Sequence, residues 1–70
     1  MTVTLRYEKS ISGKVKSTLE LEKYGCYSAH VYEEIGGDWR ETHRSNPTKD
    51  EAKAKQAFYR FTRNYVRNAW

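Results

Sequence analysis

The sequence predicts an α+β fold, a three- to four-stranded antiparallel β-meander packed on one long C-terminal α-helix of about residues 48-69. Up to about residue 44, short stretches alternate between apolar and polar residues and are separated by glycine-containing turns, which is typical of half-buried strands. The rest of the chain has the apolar period of a helix that packs by one face. With 70 residues, we expect a single domain, residues 1-70, with one small core.

The first two strands are predicted to form a hairpin. Residues alternate from Thr2 to Glu8, and again from Val15 to Leu21, on either side of a stretch with turn composition. Alternate side chains of a strand point to opposite faces, so one face of the hairpin is expected to meet the helix. That face would carry Val3, Leu5, Tyr7, Val15, Ser17, Leu19 and Leu21.

A third strand is predicted over residues 27–35, and the turn after it decides where the following tryptophan lies. A two-glycine loop would pair Ile35 with Asp38 and set Trp39 against Glu34 on the outer face. A three-residue loop pairs Ile35 with Trp39 instead, and a glycine is available for the positive φ that such a loop needs. We favour the three-residue loop because it buries Trp39. Strand four is then expected to end near Arg44.

The C-terminal helix is predicted to begin at a capping box. In Thr48-Lys49-Asp50-Glu51, the threonine side chain would accept a hydrogen bond from the backbone three residues on, and the glutamate would reach back. At about 100° per residue, one apolar stripe falls on the face expected to pack on the sheet: Ala54, Ala57, Phe58, Phe61 and Tyr65. Another stripe of apolar and aromatic residues lies outside this core face: Tyr59, Val66 and Trp70.

The positive charge of the chain is concentrated in this helix. The formal net charge is +4, and residues 52–70 contain lysines and arginines but no acid. Five cations and Gln56 recur at spacings of three and four on one side of the helix, in a stripe whose cations we call the basic ridge: Lys49, Lys53, Gln56, Arg60, Arg63 and Arg67. Cations in such an arrangement can each neutralise a phosphate, and neighbouring aromatic rings can stack on bases. We therefore predict a surface for nucleic acid or another polyanion, comprising Lys49, Lys53, Arg60, Arg63, Arg67, Tyr59 and Trp70.

Other interpretations of the same helix stay open. Lysines and arginines on an exposed helix face are ordinary, and basic residues near a helix C-terminus suit its dipole without any ligand. The aromatic stripe could instead contact an acidic protein surface or a second copy of the chain in a homodimer. Attachment of the basic helix to an anionic membrane surface is a further alternative.

The sequence contains no motif that would indicate another class of function. Cys26 is the only cysteine, so no internal disulfide can form, and we expect a cytoplasmic protein. No apolar run reaches the length of a membrane span. Cys26, His30 and His43 are not expected to converge on one ion, so we predict no metal site. No motif marks a nucleophile, an acid–base pair or a cofactor loop, and we predict a non-enzymatic protein without a cofactor.

One family resemblance adds a second candidate surface. A short antiparallel sheet ending in a tryptophan strand, followed by a helix that opens Thr48-Lys49-Asp50-Glu51-Ala52, resembles the AP2-like arm-binding domains at the N-termini of phage and transposon integrases. The resemblance covers about residues 27-58 and would suit a protein encoded by a phage or mobile element. In that family the sheet face contacts DNA, which here implies Tyr32, Arg40, Thr42 and Arg44. Because this chain adds a strand and concentrates its charge on the helix, the helix remains the leading candidate.

Overall fold

A computed structural model describes residues 2–69 and contains one antiparallel sheet followed by one helix. The strands β1 (Val3–Lys9), β2 (Val15–Leu21), β3 (Tyr27–Ile35) and β4 (Asp38–Arg44) pair in sequence order. The helix α1 (Glu51–Phe61) continues directly into a π-helical turn (Thr62–Val66), which we call the π-segment. The predicted α+β fold is confirmed.

The helix packs on one face of the sheet, which we call the helix face. Leu19 and Ala29, from the middle of the two central strands, contact Ala54, Ala57 and Phe58 of α1. These five side chains are between 0% and 6% exposed and form the core cluster. In the part of the chain that the structure describes, no helix or strand packs on the opposite side of the sheet, which we call the outer face.

The first strand does not keep the predicted alternation, because it contains a β-bulge at Leu5. The register with β2 shifts between Thr4 and Arg6. One extra residue in a strand reverses the side to which all later residues point. Arg6 and Glu8 therefore lie on the helix face, and Tyr7 lies on the outer face with 65% of its surface exposed. The prediction that Tyr7 contributes to the core is wrong for this reason.

The predicted three-residue loop before β4 is also wrong. The loop has two residues, 36–37, both glycines with positive φ (62° and 89°), as a tight hairpin turn requires. Ile35 consequently pairs with Asp38, and Trp39 pairs with Glu34. Trp39 therefore lies on the outer face rather than beside Ile35 in the core.

A second bulge, at Thr42 in β4, returns the far half of this hairpin to the predicted pairing. The register shifts between Val31 and Tyr32, so that Val31 lies opposite His43. His43 is thereby placed on the helix face, where its ring stacks on Tyr65 with centroids 4.0 Å apart. The predicted residue pairing of this hairpin is thus wrong next to the turn and right at the opposite end, where Val31 pairs with His43.

The helix begins three residues later than predicted. Asp50 is the N-cap, and its carboxylate accepts a hydrogen bond from the backbone of Ala52 at 3.0 Å. Thr48 cannot serve as the cap because its backbone exchanges two hydrogen bonds with Tyr27, at 2.6 and 2.9 Å. Its hydroxyl accepts from the backbone of Asp50 instead. The predicted capping box is therefore replaced by a single aspartate cap before Glu51.

The π-segment changes which side chains near the C-terminal end of the helix face the sheet. The backbone N–H of Arg67 donates to the carbonyl of Thr62, five residues earlier, at 2.8 Å. Such a turn is wider than an α-turn and rotates the following residues. Val66 is therefore buried at 1% exposure, whereas Tyr65 is 38% exposed. The predictions that Tyr65 belongs to the core, that Val66 lies outside it, and that the helix reaches residue 69 are wrong.

Candidate functional site

The basic ridge is exposed along its whole length. Lys49 precedes the helix, Lys53 and Arg60 lie on α1, and Arg63 lies on the π-segment, with Arg67 directly after it. All five side chains are exposed to solvent. All five predicted cations are therefore accessible from solvent.

One of these cations is already paired. The guanidinium of Arg67 donates from Nε and Nη2 to the two carboxylate oxygens of Glu8, at 3.0 and 3.4 Å. This hydrogen bond raises the pKa of Arg67, which stays charged but has an anion beside it. Within residues 2–69, no carboxylate lies within 4.0 Å of the cationic groups of the other four: Lys49, Lys53, Arg60 and Arg63.

The aromatic part of the predicted surface is smaller than expected. Tyr59 is 53% exposed, and its hydroxyl lies 3.5 Å from Nη1 of Arg6, on the side of the helix next to β1. Val66, which we expected beside it, is buried. Trp70 lies outside the described residues. Within residues 2–69, Tyr59 is therefore the exposed member of the predicted aromatic stripe, and the ring centroid of Phe61 lies 5.7 Å from the guanidinium carbon of Arg60.

The four residues implied by the integrase resemblance do not share one surface. Tyr32 and Arg44 point to the outer face, as their strand pairings require. Arg40 pairs with Glu33 and so belongs to the helix side of its strand. Thr42 occupies the bulge, where its hydroxyl donates to a backbone carbonyl of β3 at 3.3 Å. The sheet surface implied by the resemblance is therefore divided between the two sides.

A polar cluster that the sequence analysis missed lies on the outer face around His30. This side chain is 6% exposed although no described element covers it. Its Nε2 lies 2.7 Å from the hydroxyl of Ser28, and its Nδ1 is hydrogen-bonded to the carboxylate of Glu41. These contacts fit a ring that donates from Nδ1 to Glu41 and accepts the serine hydroxyl at Nε2. Glu20 lies 3.8 Å from Nε2.

Glu20 joins this cluster to two hydroxyl groups. Its carboxylate accepts from Thr18 at 2.6 Å and from Tyr32 at 2.9 Å. Burial of Tyr32, and then its hydrogen bond to Glu20, raise the pKa of the phenol well above its usual value near 10, so the hydroxyl remains a donor. Every buried side-chain nitrogen and oxygen of the described residues has a hydrogen-bond partner. The cluster is thus a satisfied network that links β2, β3 and β4.

The order Ser28, His30, Glu41 matches the hydrogen-bond order of a serine–histidine–acid triad. A triad serine must be reachable by a substrate carbonyl. Ser28 is 1% exposed, so no substrate can approach its hydroxyl in this conformation. The contact between Ser28 and His30 could have been recognised in the sequence, because residues two apart on a strand share a face. The contact between His30 and Glu41 depends on the bulge in β4.

A second group on the outer face combines two lysines with a tryptophan. The ammonium group of Lys16 lies 4.3 Å from the centroid of the Trp39 ring, and that of Lys9 lies 5.8 Å from it. Lys16 is also 5.5 Å from the ring of Tyr32. Next to these side chains is an open depression of about 360 Å³. It is lined by Thr4, Tyr7, Lys9, Lys16 and Thr18.

No protein-family model, no curated protein and no solved structure matches this chain. Within residues 2–69, no three side chains of the metal-binding types are grouped so that they could hold an ion. Neither helical segment of the described chain is long and apolar enough to cross a membrane. A function must therefore be argued from the side chains on the two faces of the sheet and on the helix.

Proposed function

We propose that this chain is a non-enzymatic binding protein that contacts nucleic acid or another polyanion through the exposed cations of its C-terminal helix. The observation that carries the proposal is that Lys53, Arg60 and Arg63 are exposed on one helix and have no carboxylate within ion-pair distance among residues 2–69. Cations that are not neutralised within the protein gain most from contact with phosphates, because each contact releases condensed counterions.

The length of the helix suits such a partner. Arg63 follows Lys53 by ten residues. At a rise of about 1.5 Å per residue, these two positions are about 15 Å apart along the axis. Duplex DNA carries one negative charge per about 1.7 Å, so several phosphates fall within that distance. A helix holds its cations at fixed spacing, which lowers the entropic cost of contacting them together.

Burial of Val66 favours this function over the alternative, a protein-interaction or self-association module. Protein interfaces depend on a few large apolar anchors surrounded by polar residues. Val66 would have supplied an aliphatic anchor between the aromatic residues, but it is 1% exposed. The surface left beside Tyr59 is formed mainly by charged side chains, and such a surface suits a polyanion better than an apolar partner.

A salt titration tests the proposal. Binding to a fluorescent DNA or RNA duplex is measured by anisotropy between low and physiological salt, for the unchanged protein and for K53Q/R60Q/R63Q. We expect the logarithm of the association constant to fall linearly with the logarithm of salt concentration. The triple variant should lower this slope by about 0.9 for each phosphate that it no longer neutralises, and by about 2.7 if all three side chains bind.

The matched control uses a cation that is already paired. Arg67→Gln removes the same charge from the same helix as Arg60→Gln, but from a side chain that is bonded to Glu8. We expect Arg67→Gln to change the slope less than Arg60→Gln. Equal changes would mean that net charge, rather than this surface, drives binding. If no duplex binds at low salt, the proposal is wrong. A homodimer that Tyr59→Ala dissociates would then favour self-association.

A further inference from the structure

Two lysines on the outer face form an unusual pair. Lys9 and Lys16 lie directly opposite each other in the β1–β2 ladder. Like charges at directly opposed positions of an antiparallel pair destabilise the sheet. Within residues 2–69, neither ammonium group has a carboxylate within 4.0 Å. An anion bound between the two lysines would remove this repulsion.

Trp39 lies near both ammonium groups. Lys16 and Lys9 lie 4.3 and 5.8 Å from the centroid of the same indole ring. Attraction between a cation and the face of an aromatic ring is worth about 0.5–1 kcal/mol at an exposed site. The ring therefore favours conformations in which both lysine side chains extend over the outer face towards the same indole.

The depression beside these lysines has the size and the donors of a small-ligand site. Its volume of about 360 Å³ is large enough for a phosphate group. Lysine ammonium groups bind phosphate as compact positive charges. Tyr7, which also lines the depression, has a hydroxyl that can donate a further hydrogen bond. The hydroxyl of Thr18 is already donated to Glu20.

Carboxylates on the same face limit the shape of the anion. Glu20 lies opposite Thr4 in the β1–β2 ladder, and Glu34 lies opposite Trp39 in the β3–β4 ladder. A nucleic-acid backbone laid across the sheet would pass these negative charges and be repelled. A compact anion can sit beside the two lysines without extending to either carboxylate. Two adjacent cations favour a doubly charged group over a single carboxylate.

We propose that this depression binds the phosphate group of a small phosphomonoester. Lys9 and Lys16 neutralise the dianion, and the hydroxyl of Tyr7, two residues before Lys9 on the same face of β1, donates a hydrogen bond to one of its oxygens. The site lies on the opposite side of the sheet from the C-terminal helix. Its existence is therefore independent of polyanion binding by the helix.

Trp39 provides a direct signal for the test. The chain has two tryptophans, so Trp70→Phe leaves Trp39 as the sole reporter. In that background, glycerol phosphate is titrated at constant ionic strength, and indole emission and heat of binding are recorded. We expect a saturable change in emission, because the phosphate draws both ammonium groups away from the ring. Lys9→Gln and Lys16→Gln should each weaken binding about tenfold or more, because each removes a charge-assisted hydrogen bond.

Lys23→Gln is the matched control. It removes the same charge from a lysine in the β2–β3 turn, outside the depression, and should leave the affinity unchanged. Glycerol phosphate should also raise the thermal midpoint of the Lys23→Gln variant but not that of Lys16→Gln.

Three outcomes would overturn the proposal. One is the absence of a saturable signal at constant ionic strength. Another is an equal loss of affinity in the Lys23→Gln variant. The third is displacement of glycerol phosphate by an unphosphorylated oligonucleotide, because the site would then bind a polymer backbone. If Lys16→Gln does not fold, the exposed position Lys9 gives the same test.

Discussion

His30 is almost fully buried, although it lies on a face that no described helix or strand covers. Ser28 and Glu41 are each hydrogen-bonded to one nitrogen of its ring, and Glu20 lies nearby. A buried polar group without a partner costs about 1–3 kcal/mol, so the members of this network depend on one another. Hydrogen bonds of this network join the strands on the outer face, whereas mainly apolar contacts stabilise the helix face. Tyr32 is the residue of this network whose raised pKa can be tested by measuring stability against pH.

Tyr32 should make the stability of the protein depend on alkaline pH. Its pKa in the folded chain is raised, whereas in the unfolded chain it is about 10. Below pH of about 10 the phenol is protonated in both states, and its contribution to stability is fully present. Above this pH the unfolded chain releases the proton while the folded chain retains it, so the free energy of unfolding falls as pH rises towards the raised pKa. Urea denaturation from pH 8 to 11.5 should reveal this fall.

The Tyr32→Phe variant should lose less stability than the unchanged protein over the alkaline part of that series. Lysines titrate in the same range, so the difference between the two proteins, not the slope of either, isolates the phenol. Tyr24→Phe is the control, because Tyr24 is 80% exposed and its removal should leave the pH dependence unchanged. Parallel curves for Tyr32→Phe and the unchanged protein would contradict the prediction.

At the level of single elements, the π-segment has the largest effect on the candidate site. Its first residue, Thr62, lies one turn after Phe58 and faces the sheet, where the hydroxyls of Thr62 and Ser17 are 2.6 Å apart and buried. The π-segment is followed by Arg67, which meets Glu8 on β1. The predicted basic ridge is thereby divided into one paired arginine and four exposed cations. Both contacts join residues that are far apart in the sequence.

Removing both hydroxyls of the Ser17–Thr62 pair should destabilise the protein by less than the sum of the two single losses. Thr62→Val leaves the Ser17 hydroxyl buried without a partner and should cost about 1–3 kcal/mol. Ser17→Ala should act similarly on Thr62. The double variant should lose less than the sum of the two, and a double-mutant cycle in urea measures the coupling. Additive losses would show that the two hydroxyls do not depend on each other.

The sequence predicted the number and order of the elements because each has a clear apolar period. It did not predict the bulges at Leu5 and Thr42. The extra residue of a bulge cannot be recognised in an alternating pattern, and only the structure shows that the later side chains face the opposite side. The predicted turn before Trp39 is wrong because the two glycines form a tight turn even though this leaves Trp39 on the outer face. Exposure of the helix cations follows from their spacing. The pairing of Arg67 depends on a bulge and a π-turn together.

At the scale of the whole molecule, two unlike surfaces lie on opposite sides of one thin sheet. The helix side carries exposed cations, and the outer face carries the His30 network and the lysine depression. Between them is a core of a few small and medium side chains, with Leu19 and Phe58 among the largest. A core of this size leaves little reserve of stability, so both surfaces depend on few apolar contacts.

Leu19→Ala should bring the whole protein close to unfolding. Leu19 is 0% exposed at the centre of the core, and such a change costs about 2–5 kcal/mol. A chain of this length is expected to have a total stability of about 3.5–10 kcal/mol. Urea denaturation measures the loss. Leu5→Ala removes the same atoms from a side chain that is 41% exposed and should cost clearly less. Equal losses for the two variants would mean that Leu19 is not central to the core.

Both edge strands of the sheet contain a bulge, at Leu5 in β1 and at Thr42 in β4. A regular edge strand offers a row of unpaired backbone groups to which another chain can add, and this is a common start of fibre formation. A bulge interrupts the row and increases the local twist. Neighbouring copies cannot join edge to edge over the full length of either strand. The two residues that disturb the sequence pattern are therefore expected also to reduce edge-to-edge aggregation of this protein in concentrated solution.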